Sequence, residues 1–137
     1  MPLTRITKLD FQPRTGTLFV NDLRGQLYKL KNGKPYLYMD MQRLRSAFID
    51  APGLATGFGS FAFHPGFTDN GLFYTTHTEA PVSGKADFSY EDSIKITVQW
   101  VLTEWKATNP AADTFSGTGR ELLRINMVTG AHGVQDI

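Results

Sequence analysis

Phe63-His64-Pro65, followed by Gly71-Leu72-Phe73-Tyr74, is the stretch on which the reading of the fold turns. It repeats an earlier phrase, Phe11-Gln12-Pro13, which is followed by Gly16 and then Leu18-Phe19-Val20. Two residues before the first Phe of each copy stands another large apolar residue, Leu9 in one and Phe61 in the other. Asp136-Ile137 reads as the opening of a third copy. A phrase of strands and turns that returns after roughly 40–50 residues is the mark of a repeat architecture such as a propeller. The competing reading is an ordinary β-sandwich with a chance likeness. The matching order of four strands around each copy argues against it.

The strands on either side follow from alternation and turn residues. Ile6 to Phe11 alternates, with Leu9 and Phe11 on one side and Lys8 and Asp10 on the other. Pro13 to Gly16 supplies a turn, Thr17 to Asn21 a second strand, and Gln26 to Leu30 a third. Asn32-Gly33 signals a two-residue hairpin into a fourth strand, Tyr36 to Met41, with Leu37, Met39 and Met41 expected on one face and Tyr38 on the other. Residues 42 to 59 break this rhythm. Gln42 to Ile49 suits a helical turn or two, and Pro52-Gly53, Gly57 and Gly59 suit a loop. A second set of strands then begins with Ser60 to Phe63 and Leu72 to Thr78. The strongest alternation in the chain runs from Ile94 to Trp105, with Ile94, Ile96, Val98, Trp100 and Leu102 on one face. Asn109 to Gly119 reads as an irregular loop and Arg120 to Met127 as the last strand.

The chain therefore predicts an all-β fold, a partial β-propeller of about two four-stranded antiparallel blades plus the start of a third. The expected units are residues 1–41, a connecting loop at 42–59, a second unit at 60–127, and the start of a third at 128–137. At 137 residues this is the length of one domain or domain fragment.

Composition narrows the function classes. A formal net charge of +1 with scattered basic residues gives no footprint for nucleic acid or an anionic membrane. No apolar run reaches the length of a membrane span. The chain has no cysteine, which excludes disulfides and thiolate chemistry. Met1 to Arg5 does not read as a secretory signal.

Several side-chain groups invite chemistry and have plainer readings. His64 precedes a proline and suits a turn histidine bonded to backbone. His77 and Glu79 fall on one face of a strand, a spacing that could serve a metal if a third ligand arrived from elsewhere. None is evident, and a solvated strand edge is the expectation. Asp87, Glu91 and Asp92 form an acidic loop without the glycine-pinned spacing of a calcium site. Ser116-Gly117-Thr118-Gly119 lacks the lysine and helix of a phosphate cradle and reads as loop glycines. Trp100 belongs to the apolar stripe, whereas Trp105, on the opposite face, reads as an edge aromatic or a platform for a sugar ring. No nucleophile-elbow motif supports a hydrolytic triad.

The ordered phrases resemble those of the glucose/sorbosone dehydrogenase-like proteins. They are Tyr38-Met39-Asp40-Met41, the segment from Gly59 to Phe67, Asn70 to Tyr74, the Asn109-Pro110 and Asp113 loop, and Arg120 to Ile125. The likeness covers about residues 15–137 as short phrases. It implies a six-bladed propeller, many of whose members use pyrroloquinoline quinone (PQQ) and calcium to oxidise a sugar. Two departures stand out. Thr56-Gly57-Phe58-Gly59 replaces the family's Gly-Leu-Leu-Gly. His132-Gly133-Val134-Gln135-Asp136-Ile137 keeps the family's catalytic histidine and final aliphatic residue but not its Asn and Arg. By this resemblance His132 is the candidate catalytic residue, a general base for a sugar hydroxyl as hydride passes to the quinone. Its plainer reading is an exposed histidine in a tail. The resemblance places most of the cofactor- and calcium-binding residues further along a full-length chain, so the expectation is that this chain alone binds no cofactor and is inactive. Export to the periplasm or cell exterior comes from the resemblance only. Because blades bury their faces against neighbours, the isolated chain is expected to self-associate as a homo-oligomer, three copies imitating a six-bladed ring. The alternative function is a non-catalytic propeller used for recognition, or a self-associating structural fragment.

Overall fold

A computed structural model describes residues 5–51 and 54–137. The Pro52-Gly53 turn signal and the first four residues lie outside the described residues. The chain is all-β, with two four-stranded antiparallel sheets and two single-turn helices. The first sheet holds β1 (Ile6–Phe11), β2 (Leu18–Asp22), β3 (Gln26–Lys31) and β4 (Lys34–Asp40) in sequence order. The short helix α1 (Met41–Leu44) leads out of it. The second sheet holds β5 (Phe58–Phe63), β6 (Leu72–Glu79), β7 (Val98–Ala107) and β8 (Gly117–Met127), with α2 (Phe67–Asn70) between β5 and β6. Neither sheet closes on itself. Among the described residues no helix is long and apolar enough to cross a membrane.

Local chemistry sets the turns. Asn32 and Gly33 both take positive φ, 52° and 74°, which the two-residue hairpin pairing Lys31 with Lys34 requires. Gly71 ends α2 in the left-handed region, and its N–H returns to Phe67 O at 2.8 Å. An added Cβ there would run into Ala107 O.

The two sheets share irregularities as well as strand order. In β1, Ile6 and Lys8 pair with the adjacent residues Asp22 and Asn21, so Thr7 is an extra residue. In β5, Phe58 and Ser60 pair with His77 and Thr76, so Gly59 is the extra residue. Thr7 and Gly59 lie 52 positions apart, the same spacing as Leu9 and Phe61 in the repeated phrase, and Thr7 Oγ1 donates to Gly59 O at 2.8 Å. The outer strands bulge too, at Tyr38 in β4 and at Leu122 in β8.

The core lies between the sheets and is aromatic. Phe19 of β2 meets Phe63 of β5 edge-on at 4.8 Å, and Phe63 meets Phe67 at 4.8 Å. Phe73, Trp105, Phe115 and Tyr38 extend the ring contacts, and Phe58, Phe61, Leu27, Met39 and Met41 are buried in the same cluster. Each such ring pair adds about 0.5–1.5 kcal/mol beyond the area it buries. The loop before β8 clamps the two sheets. Phe115 N donates to Tyr38 O at 2.7 Å, and Asp113 pairs with Lys29 and Lys31 of β3.

Three expectations about individual strands are corrected. The long strand begins at Val98, not Ile94, because β6 and β8 offer partners only as far as Gln99 and Val98, and Ile94 is exposed. Residues 117–119 are strand rather than loop, paired with Lys106, Ala107 and Trp105. The bulge in β4 breaks the alternation, so Tyr38 is buried beside Met39 instead of facing away from the core. Residues 128–137, expected to open a third unit, form no strand.

Candidate functional site

His132, the residue singled out by sequence, lies on the exposed segment after β8. No hydrogen bond or ion pair links it to a described residue. His64 is a turn histidine: its Nδ1 accepts the Gly66 N–H at 2.9 Å and lies 2.9 Å from Asn70 Nδ2. Asp87, at the head of the acidic loop, accepts the Arg124 N–H through Oδ2 at 2.9 Å. Among the described residues no group of three or more His, Asp or Glu gathers as a metal site. Trp105 is neither an edge aromatic nor an open platform. It is buried in the core, with Nε1 donating to Thr75 Oγ1 at 2.8 Å.

The densest polar chemistry is at His77 and Glu79, where sequence predicted a solvated edge. Both are buried, at 0% and 2% exposure. The cause is the position of β6, which has partners along both edges to its end. Past the start of β5, the segment around residues 47–49 takes over the pairing, with Ile49 N donating to Thr78 O and Ala80 N to Ala47 O. The Phe48 ring lies 6.2 Å from the His77 ring. On the far side, the loop after β6 folds back through Ser83 and Gly84 onto Gln99.

Glu79 is the centre of the cluster. Its Oε1 accepts from His77 Nε2 at 2.9 Å and from Arg45 Nε at 2.9 Å. Its Oε2 accepts from Ser83 Oγ at 3.0 Å and Arg124 Nη2 at 2.8 Å. Arg124 is buried and uses its whole guanidinium. Nε and Nη2 hold both oxygens of Glu121 at 2.8 Å, and Nη1 donates to Ser83 Oγ and Gln99 Oε1 at 2.8 Å. The fork-to-fork geometry with Glu121 is the strong form of such a pair.

Electrostatics fix the protonation states. Burial alone would raise the Glu79 carboxyl, but hydrogen bonds from His77, Arg124 and Arg45 outweigh it and hold it well below the usual carboxylate range. Burial pushes the His77 imidazole down, against the upward pull of Glu79. Glu121 is lowered by its hydrogen bond with Arg124, which in turn raises the guanidinium. Neutral His77 therefore donates through Nε2 and keeps a bare Nδ1, which is buried without a partner.

The cluster forms one wall of an open cleft of about 510 Å³ where α1 and the loop after β6 meet. Leu44, Ser46, Ala47, Gly84 and Lys85 also line it. The wall is a set of ion pairs whose hydrogen bonds are spent on one another. These hydrogen bonds hold Glu79 as a carboxylate, and His77 is buried behind it. What the arrangement does is tie β6, β7, β8 and the α1 segment together at one end of the sheet.

Sequence reasoning gave Gln99, Arg45 and Ser83 no part in a site and read Glu121 and Arg124 only as part of a strand phrase. One signal was available. Arg124 stands inside a strand between Leu123 and Ile125, and a charge in that setting needs a partner if the strand is covered. No family model matches the chain, and no curated protein matches it.

Proposed function

We propose that the chain is the N-terminal part of a β-propeller of the glucose/sorbosone dehydrogenase-like type, supplying two blades as scaffold and a wall of a sugar site rather than a complete catalyst. The observation that carries this reading is the repeated bulge. Two four-stranded meanders in succession, each with an extra residue in its first and last strands, are units of one kind. Their order and face-to-face packing fit successive propeller blades. The phrases quoted above supply the likeness to a quinone-dependent sugar oxidoreductase, in which PQQ and calcium would be held by later blades. A second reading, a recognition propeller without catalysis, draws on the altered stretch after His132, where Gly133 and Asp136 replace the Asn and Arg of the resembled family.

Two measurements test this. Calorimetric titration of the chain with PQQ and calcium should give no saturable heat. Binding accompanied by sugar oxidation would overturn the scaffold role. The coding sequence beyond Ile137 should carry further four-stranded repeats with arginine and lysine for the quinone carboxylates. Repeats without those residues would favour the recognition module, and no repeats at all would end the blade reading.

A further inference from the structure

The repeat gives each sheet a like pair of faces. The front carries Leu9 and Phe11 in the first sheet and Phe61 and Phe63 in the second. Cross-strand pairing adds Val20 to one and Thr75 to the other. The back carries Phe19 and Asn21 in the first sheet, and Tyr74, Thr76 and Leu102 in the second. Within the chain, the back of the first sheet is buried under the front of the second. Phe19 stacks edge-on against Phe63, and Asn21 Nδ2 donates to Phe58 O at 2.8 Å. Among the described residues, two faces are left over. On the front of the first sheet Leu9 is 58% and Phe11 62% exposed, whereas Phe61, the counterpart of Leu9, is 0% exposed. On the back of the second sheet Leu102, Leu123 and Ile125 border an apolar groove of about 190 Å³.

The C-terminal segment lies at this groove as the start of β5 lies on the first sheet. Thr76 Oγ1 donates to Val134 O at 2.8 Å, matching the bond from Asn21 to Phe58 O. Three residues beyond each accepting carbonyl stand Ile137 and Phe61, so Ile137 occupies the place of a front residue and lines the groove. The segment forms no strand. It is also held by Ala55 N and Thr56 Oγ1, which donate to Gly130 O, by Gly133 against the Trp100 ring, and by Lys8, whose Nζ donates to Ile137 O at 3.1 Å and pairs with Asp136 at the surface.

We infer that the open back of the second sheet binds the open front of the first sheet of a second copy of this chain, with the incoming Leu9 displacing Ile137. The inference rests on the blade reading above. The second copy is the occupant because its first sheet presents the same bulged strand and the same pair of large apolar residues that the intramolecular interface already buries. The contact is head to tail and leaves one front and one back unused, so association continues until a ring closes. Four-stranded sheets close as about 4–8 blades, which two-sheet units reach with about two to four copies.

Sedimentation velocity over a wide concentration range tests this with the full chain and two variants. One blocks the front (Leu9→Asp with Phe11→Asp), and the other blocks the back (Leu102→Asp with Leu123→Asp). The wild type should assemble beyond a monomer. Each variant alone should be monomeric, and an equal mixture should give a dimer that grows no further. Removing Gln135 to Ile137 should move wild-type assembly to lower concentration. A monomeric wild type, a front variant that still assembles, or a mixture that stays monomeric would overturn the inference. If circular dichroism shows the back variant unfolded, the front variant decides the matter, because its two positions are exposed. The blade reading is judged separately by the coding sequence. A monomeric wild type with further repeats downstream would remove this inference and leave that reading standing.

Discussion

On the inner face of the second sheet, Phe73 lies a few residues along β6 from His77 and Glu79, and Trp105 lies a few residues along β7 from Val101, the partner of Arg124 in β8. All are buried, yet different forces hold them. The aromatic half meets the first sheet and is stabilised by the area it removes from water, which does not depend on protonation. The ionic half meets α1 and the loop after β6. There, charge pairing offsets the cost of dehydrating several ions, and the balance depends on protonation. A single strand can thus begin in a hydrophobic core and end in a salt-bridge cluster, provided something covers both ends.

The largest effect should come from the aromatic half. Phe73→Ala should cost about 3–5 kcal/mol, a large share of the stability of a chain this size. Urea unfolding followed by tryptophan fluorescence would measure it, and a loss below 1 kcal/mol would mean that the two sheets do not pack as described. Next comes the ionic half. Arg124→Met leaves Glu79 and Glu121 short of a buried partner and should cost about 3 kcal/mol. Adding Glu79→Gln should recover part of that loss, since it removes the stranded charge. A double variant no better than the single one would show that Arg124 matters through packing alone.

The pH dependence separates the halves more finely. His77, Glu79 and Glu121 all have folded-state pKa values below their unfolded ones. Stability from such groups is whole above the unfolded value and is lost as pH falls through the folded one. The decline should begin below pH 6.5, where the unfolded chain protonates the imidazole, and steepen below pH 4.5, where it protonates the carboxylates. Urea midpoints from neutral pH downward would trace it. His77→Gln should flatten the upper part only, whereas Phe73→Ala should shift the curve without changing its shape.

Smaller effects sharpen the contrast. Tyr38 brings one polar atom into the aromatic half, a hydroxyl buried without a partner, and burial pushes its pKa up to about 12. Tyr38→Phe should be neutral or stabilising by about 1 kcal/mol, because it removes an unsatisfied group at constant shape. At the exposed end of β8, Arg120 pairs with Glu104 at 2.8 Å, and Arg120→Ala should change stability by less than about 0.5 kcal/mol.

The parts of this structure legible in the sequence were those written locally. Asn32-Gly33 fixed a hairpin because backbone sterics allow few residues positive φ at successive positions. Phe11 and Phe63 marked equivalent strands because the repeat is a matter of spacing. The ionic cluster was hidden because its members come from far apart. Arg45 lies 34 residues before Glu79, and Arg124 lies 45 residues after it. Alternation assumes that one face of a strand is wet, and β6 violates that assumption on both faces. Trp105 was misplaced for the same reason. Tyr38 was misplaced because a bulge is a choice made by the partner strand as well as by its own.

Every strand in each sheet pairs with its neighbour in sequence, and this bears on how the chain is made. The first sheet can zip up hairpin by hairpin as soon as Asp40 has left the ribosome, without waiting for distant chain. Its ring of Phe19, however, has no cover until Phe63 and Phe73 follow. At synthesis rates of roughly 5–20 residues per second, that interval lasts on the order of a few seconds. During it, a nascent chain carries a finished sheet with an uncovered aromatic face, a surface for chaperones to shield and for crowded neighbours to capture.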